Sequence, residues 1–470
     1  MKTKLTTLAI ALAAVFPMGQ AAHAQSTAEL KAEIEALKQQ LQVLMKKVDA
    51  VAEASAATAS SAPPAVELSE FNRIKVKTES IEDNIEASGL KGFKVSGMID
   101  PTFIYSNRQD HAGFVFLNNF DGRNPAESFA FDNSYFGMAV LDIQKETEGG
   151  NKWRLTLAPH KSAASGYNLN SIVHEASVSI PLTDPTTRLI AGMIPDWSGY
   201  EYIMPNQQPL ITHNMLFDFT IPTIYNGVGM EITRGQWITK FMLGNVNEIR
   251  KGNGDKTPAL TYRADYAKDE FGGVGFAGTH SFSTGNKYDL FEVDGYFTRG
   301  DWTLQGQLGA GRKPLASATG GTAQWWGLSA LAGYKLTPRL QAVARLDYIA
   351  NRSNGGGVFA STSSGCLDAT GADDSASGCA NSVVALGDYR NGFGPTPQDA
   401  YDYATGVISS LHGVNRYALS TGFNYLVNPT TTWKMELRFD GASGPVFLNV
   451  KDGSYKKSNT LLGSSVVVAF

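Results

Sequence analysis

Cysteine is nearly absent from this sequence: Cys366 and Cys379 are the only two in 470 residues. Two lone cysteines fall short of a structural zinc site, which takes four ligands. They sit close together in one polar, Gly/Ser-rich stretch, and in an exported chain that pattern reads as a disulfide closing a surface loop. Histidine is scarce, with seven residues, and no metal or cofactor motif accompanies it, so neither a metal nor a cofactor is expected. Charged residues make up only 18% of the chain and the net charge is −4, which excludes the concentrated basic face a nucleic-acid partner needs. After the first two dozen residues no run reaches the roughly 18 apolar residues of a transmembrane helix.

What is present divides the chain into four parts. Residues 1–24 read as a secretory signal. Lys2 and Lys4 form its charged start, Leu8 to Phe16 its apolar stretch, and Ala22-His23-Ala24 its cleavage site. Removing it deletes two lysines and no acids, which takes the net charge from −4 to −6. Residues 25–53 place Leu30, Ile34, Leu37, Leu41, Leu44, Val48 and Val51 at alternating spacings of four and three, the seam of a coiled coil. The mixed seam leaves the number of helices open. Residues 54–92 form a linker, flexible through Ser55 to Ala65 and stiffened at Pro63-Pro64, then a polar connector.

From Phe93 to Phe470 the period changes to two. Trp153, Leu155 and Leu157 alternate with Lys152, Arg154 and Thr156. Leu340, Ala342, Ala344, Leu346 and Tyr348 alternate with Gln341, Arg345 and Asp347, and Trp433, Met435, Leu437 and Phe439 with Lys434, Glu436, Arg438 and Asp440. Aromatics gather near strand ends on the apolar parity, where a membrane interface would meet them. Seven short polar turns fall near residues 146–151, 183–186, 234–235, 268–270, 299–301, 337–339 and 428–431. Longer connections lie between them, among them Asn107 to Asn133, Pro195 to Asn226 and Asn351 to Val414. Short turns on one side and long loops on the other are the asymmetry of an outer-membrane barrel. Seven short turns pair fourteen strands, and one more at each end gives a closed, all-β, antiparallel transmembrane barrel of about sixteen. Its strands are expected to begin near residues 93, 134, 152, 170, 187, 227, 236, 257, 271, 287, 301, 323, 339, 415, 431 and 459.

The final strand, Asn459 to Phe470, ends on an aromatic residue of the same parity as Leu462, Val466 and Val468. It resembles the insertion signal that the barrel-assembly machinery reads in Gram-negative outer-membrane proteins. With the leader, heptad segment, Ala/Pro linker and alternating strands, the chain resembles the phosphate-selective porin-like branch of outer-membrane porins. It also resembles an uncharacterised porin family with an N-terminal coiled coil. The resemblance implies a homotrimer in outer-membrane lipid, one water-filled channel per barrel, and a third loop folded inward. It also implies a coiled coil in the periplasm, within reach of the cell wall.

The stretch 195–226 is the candidate for that third loop, being too long and too apolar to stand in water. Asp196, Glu201, His213 and Asp218 on it are the candidate constriction groups. By parity, Lys152, Arg154, Arg188, Lys240, Arg263, Arg345, Lys434 and Arg438 would face them across the lumen, and opposed rings of this kind set a transverse field that sorts solutes. Asp100, Asp142, Glu175, Glu231, Asp265, Glu292, Asp294, Asp347, Glu436 and Asp440 share the inward parity, so strong anion selectivity is not expected.

Two other functions are open to a barrel of this kind. A lipid-facing Ser/His hydrolase is not expected, because His174, His280 and His412 have no G-x-S-x-G elbow near them. A structural barrel would instead tether the membrane to the cell wall, or present Asn351 to Val414 as an adhesive surface. That stretch, with Gly355-Gly356-Gly357, reads as a mobile excursion.

Overall fold

A computed structural model of the protein describes residues 73–77, 91–116, 137–158, 172–248, 255–283 and 287–470. The expected signal (1–24), the coiled coil (25–53) and nearly all of the connector (54–92) lie outside the described residues. The chain divides into residues 1–89, of which a helical turn at 73–77 is described, and residues 90–470.

The second unit is a closed antiparallel barrel of sixteen strands. The first, β1, runs as Phe93–Ile99 and Thr102–Ser106, and the second, β2, as His111–Val115 and Ala139–Glu146. There follow β3 (Lys152–Leu157), β4 (Val173–Pro181), β5 (Thr187–Pro195), β6 (Ile224–Arg234) and β7 (Trp237–Val246). Next come β8 (Ala259–Ala267), β9 (Gly272–Ser281), β10 (Tyr288–Arg299), β11 (Trp302–Lys313) and β12 (Ala323–Thr337). The last four are β13 (Leu340–Ala350), β14 (Arg416–Asn428), β15 (Thr431–Ala442) and β16 (Ser458–Ala469). The sheet has eighteen hydrogen-bonded pieces, and the two interrupted strands account for the excess over sixteen.

Each interruption has a local cause. Pro101 has no N–H to give the ladder, so β1 kinks there while Asp100 N–H donates to Met138 O at 2.9 Å. In β2 the first piece ends at Val115 and the second is described from Gly137. A Cβ on Gly137 would stand 2.2 Å from Val115 O, so only glycine lets the two pieces meet. The long connection expected at 107–133 is therefore corrected. His111–Val115 is a strand, paired residue for residue with Thr102–Ser106, and it is too short for its alternation to stand out in sequence.

Closure joins β1 to β16. Met98 lies opposite Ala469 and Thr102 opposite Ser465, and Gly97 and Phe470 exchange N–H···O bonds of 3.2 and 3.0 Å. The short connections (147–151, 182–186, 235–236, 268–271, 300–301, 338–339 and 429–430) all fall at one end of the barrel. The outward parity is apolar and the inward parity polar, the reverse of a water-soluble barrel. Aromatic pairs such as Trp237–Tyr266, Trp302–Tyr334 and Phe423–Trp433, with centroids 5.0, 4.7 and 5.0 Å apart, ring the short-turn end outside. Trp326–Tyr348 and Tyr417–Phe439 form a second tier.

The connection 351–415, expected to be a mobile excursion, is folded. It contains the helix Pro397–Ala404, capped by Thr396, and a small hairpin of Cys366–Asp368 with Ser382–Ala385. Cys366 and Cys379 are joined by a disulfide with Cα atoms 5.9 Å apart. The glycines serve close packing. A Cβ on Gly413 would lie 2.1 Å from Asn351 O and 2.4 Å from the Gly356 Cα, so the two ends of the connection touch backbone to backbone. Glycine runs signal flexibility and close approach alike, which is why the sequence misled here.

Candidate functional site

Residues 196–223 join β5 to β6, and their apolar side chains need a surface. Helix α1, Met215–Thr220, starts at Asn214, whose side chain accepts from Phe217 N at 2.8 Å, and all six of its residues are buried. Its neighbours are inward-parity residues. Tyr200 and Leu210 pack on Leu331 and Val343, and the Tyr200 hydroxyl meets Ser329 Oγ at 2.7 Å. Asn214 Nδ2 donates to Gln307 Oε1 at 3.3 Å. From the other side the connection 351–415 leans on the helix. Ala360 N donates to Phe219 O at 2.9 Å, and the Phe219 and Phe393 rings are 4.6 Å apart.

Four of the eight predicted basic residues bind this segment, and they bind its backbone. Arg345 Nη1 reaches Glu201 Oε1 at 3.0 Å and Thr212 O at 2.7 Å, while its Nη2 reaches His213 O at 2.8 Å. Arg438 Nη1 donates to His213 O at 2.9 Å and to Thr212 Oγ1 at 3.1 Å. Lys434 Nζ donates to the carbonyls of Pro205 and Gln208. Arg263 Nη1 donates to Trp197 O at 2.8 Å while its guanidinium forks onto Asp294 at 2.8 and 2.9 Å. Glu436 completes the cradle by accepting from Ile211 N and Thr212 N at 2.8 and 2.7 Å. A segment with one short helix carries many carbonyls that nothing local satisfies, and these inward cations supply the donors.

The other four basic residues stay on their own wall. Arg154 bridges Asp142 at 2.7 Å and Glu175 at 3.3 Å, Lys240 meets Glu231 at 3.2 Å, and Lys152 meets Glu146 at 3.7 Å. Arg188 donates to Ser179 Oγ at 2.7 Å and to the carbonyl of Gly150.

Glu201, Asp218 and His213 are enclosed, and Asp196 is half-buried. Burial pushes Asp196 up to about 6 against the pull of the Tyr225 hydroxyl and of Ser198, which bonds it through N–H and Oγ at 2.8 and 3.0 Å. Burial likewise pushes Glu201 up to about 7, although Arg345 and the Asn214 N–H at 2.6 Å pull the other way. Asp218 is raised by burial too, and its carboxylate stands 4.0 Å from His213 Nδ1. His213 is pushed down to about 3, first by burial, with Arg345, Lys434 and Arg438 opposing its charged form. Its Nε2 lies 2.9 Å from Tyr202 O, and its ring stacks on Phe217 at 4.3 Å. The exposed side chains of 196–223 are Tyr202, Asn206 and Gln207, none of them charged.

Sequence parity found the cradle's cations. It missed Glu436 as a backbone acceptor, Thr212 as the shared contact, and the three exposed neutral residues. Of the histidines considered for catalysis, His280 is on the outward parity, with Nδ1 2.9 Å from Asp289 Oδ1 and Nε2 3.3 Å from the Tyr262 hydroxyl.

A family profile described as "Protein of unknown function (DUF3138)" matches residues 1–261 and 260–470, which together run the length of the chain. The chain belongs to this family. A search of curated proteins finds no match to it. Among solved structures, the family member is similar to an anion-selective porin from Comamonas acidovorans, with 11% identity, a TM-score of 0.49, and coverage of 80% of this chain and 99% of that one. It is also similar to OmpT, an outer membrane protein of Vibrio cholerae, at 9% identity and TM-score 0.47, covering 80% and 97% of the two chains. A third is the outer membrane channel DcaP of Acinetobacter baumannii, at 11% identity and TM-score 0.46, again covering 80% and 97%. The strand count and the closure of the barrel rest on the chain's own pairing.

Proposed function

We propose that this barrel is an outer-membrane channel through which small hydrophilic solutes diffuse passively, and that residues 196–223 narrow it from within. One observation carries the reading. Beyond its flanking strand β6, the segment 196–223 contacts inward residues of β8, β11–β16 and β1, whereas the inward cations Arg154 of β3 and Lys240 of β7 remain in water. Arg154 keeps 42% of its side chain exposed and Lys240 31%, although both point inward. A segment that leaves inward charges of β3 and β7 in water narrows a lumen without filling it.

Lipid as the outer surroundings follows from the apolar outward parity and the two aromatic tiers. Tyr334 and Trp326 stand eight residues apart on β12, and at about 3.3 Å per residue and a tilt of ~40° that is roughly 20 Å along the barrel axis. That approaches the apolar band of an outer-membrane barrel, about 25 Å tall. Closure leaves no unpaired edge in the hydrocarbon. Trimeric assembly, insertion by the barrel-assembly machinery and a cell-wall contact of the N-terminal segment belong to the same reading.

The deciding experiment is conductance of the purified full-length protein in a planar bilayer, with reversal potentials across a KCl gradient. Discrete steps in groups of three, with reversal near zero, are expected. A protein that inserts and folds yet conducts nothing would instead be a structural barrel.

A further inference from the structure

The charges of 196–223 are spent on its anchorage, and this leaves an unusual surface. Tyr202, Asn206 and Gln207 are its exposed side chains, with Tyr202 at 60%. The backbone beneath them is tied down from several sides. Tyr202 O accepts from Gln208 Nε2 and lies 2.9 Å from His213 Nε2, and the carbonyls of Pro205 and Gln208 both accept from Lys434 Nζ. A tyrosine ring and two carboxamides, with no side-chain hydrogen bond among the described residues, are thus presented on a fixed frame. The charges left in water on the facing wall are already matched, Arg154 by Asp142 and Glu175, and Lys240 by Glu231.

Building on the channel reading, we infer that the narrow part of the passage is a binding site for uncharged polyhydroxylated solutes, the saccharide class, with Tyr202, Asn206 and Gln207 as its specificity-determining residues. An aromatic face covers the C–H face of a sugar ring, and each carboxamide offers donors and an acceptor to neighbouring hydroxyls. A polyvalent ion would shed water here, and the exposed cations of β3 and β7 already hold their carboxylates. The transverse field expected from opposed charged rings is weakened on the segment's side, because Glu201 and Asp218 are turned into its packing and half-buried Asp196 is bonded to Tyr225 and Ser198.

The test uses the full-length protein in planar bilayers, with maltotriose or citrate added on one side at constant ionic strength. Maltotriose is expected to block the ion current in a concentration-dependent way and citrate not to. Tyr202→Ala should weaken the maltotriose block about tenfold, the loss of one stacking contact. Tyr202→Phe, which keeps the ring, should retain it, and the double change Asn206→Ala, Gln207→Ala should weaken it severalfold. These three side chains are exposed, so the variants should fold, and resistance of the barrel to SDS checks that they do. Equal block by citrate, or an unchanged block in Tyr202→Ala, overturns the inference. Channels that conduct but ignore maltotriose overturn it too and leave the channel standing, whereas absence of conductance removes the channel itself.

Discussion

Two halves of the inner wall carry the same kind of residue and use it differently. On β3–β7 the inward cations Arg154 and Lys240 remain in water, at 42% and 31% side-chain exposure, each beside a carboxylate of its own wall. On β13 and β15 the inward cations Arg345 and Arg438 are fully enclosed at 0%, each reaching beyond the wall to carbonyls of 196–223. The alternation that puts a charge inside a barrel is identical in both places. What differs is whether a second layer arrives to cover it. Covered charges become struts, and uncovered ones line water.

The sharpest way to break that contrast is to remove a strut. Arg345→Ala deletes bonds to Glu201, Thr212 and His213 and leaves Asp347, Glu201 and Glu436 buried without their shared cation. Stranding buried charges in this way typically costs about 3–5 kcal/mol. The urea midpoint of the detergent-folded protein is expected to fall accordingly, and single-channel records should become noisier and larger as 196–223 loosens. Arg345→Lys, which keeps the charge and loses the fork, should recover only part of the midpoint. A variant as stable and quiet as the native protein would mean that Arg345 does not anchor the segment.

How far the sequence foretold this division depends on the level. Alternation and turn spacing placed β12 and β15 at their observed starts, residues 323 and 431, because a two-residue period and a short polar turn are local features. The break in β2 was hidden, since it takes a distant contact, Val115 against Gly137, to show that two pieces make one strand. For 196–223, apolar content revealed that the segment needs a surface, and parity supplied the cations opposite. Parity says which way Arg345 points and nothing about what lies over it. The burial of Glu201 and Asp218, and the exposure of Tyr202 beside them, follow from a packing angle that no local pattern encodes.

A milder perturbation exploits His213, a neutral imidazole inside the covered half. Its folded-state value is depressed to about 3, against about 6.5 for the unfolded chain, so the unfolded state binds the proton first. The stability it permits is present above pH 6.5 and is lost as pH falls toward 3, by up to about 1.4 kcal/mol per pH unit. Comparing urea midpoints of the native protein and His213→Asn from pH 7 to pH 4 isolates this contribution. The native protein should lose ground to the variant steadily as acid is added. Parallel curves would mean that the imidazole protonates in place, and that the covered half is wetter than the structure shows.

The smallest effect on stability belongs to the open half, and there the readout changes. Lys240→Gln removes one partly exposed cation whose pair with Glu231, at 3.2 Å, is worth about 0–1 kcal/mol. The urea midpoint should therefore stay within roughly 0.5 kcal/mol of the native value. Glu231 would then face water without its partner, so the reversal potential in a KCl gradient should move toward that of a potassium-preferring channel. Glu231→Gln should move it the opposite way, toward chloride. The buried pair Arg416–Asp440 is the control, because Arg416 is enclosed between the Phe393 and Phe447 rings, 4.9 and 4.7 Å from the guanidinium carbon. Asp440→Asn should lower the midpoint and leave the reversal potential where it was. If the Lys240 and Asp440 changes instead shifted stability alike and selectivity alike, the two halves would be one environment, and the division between struts and lining would fail.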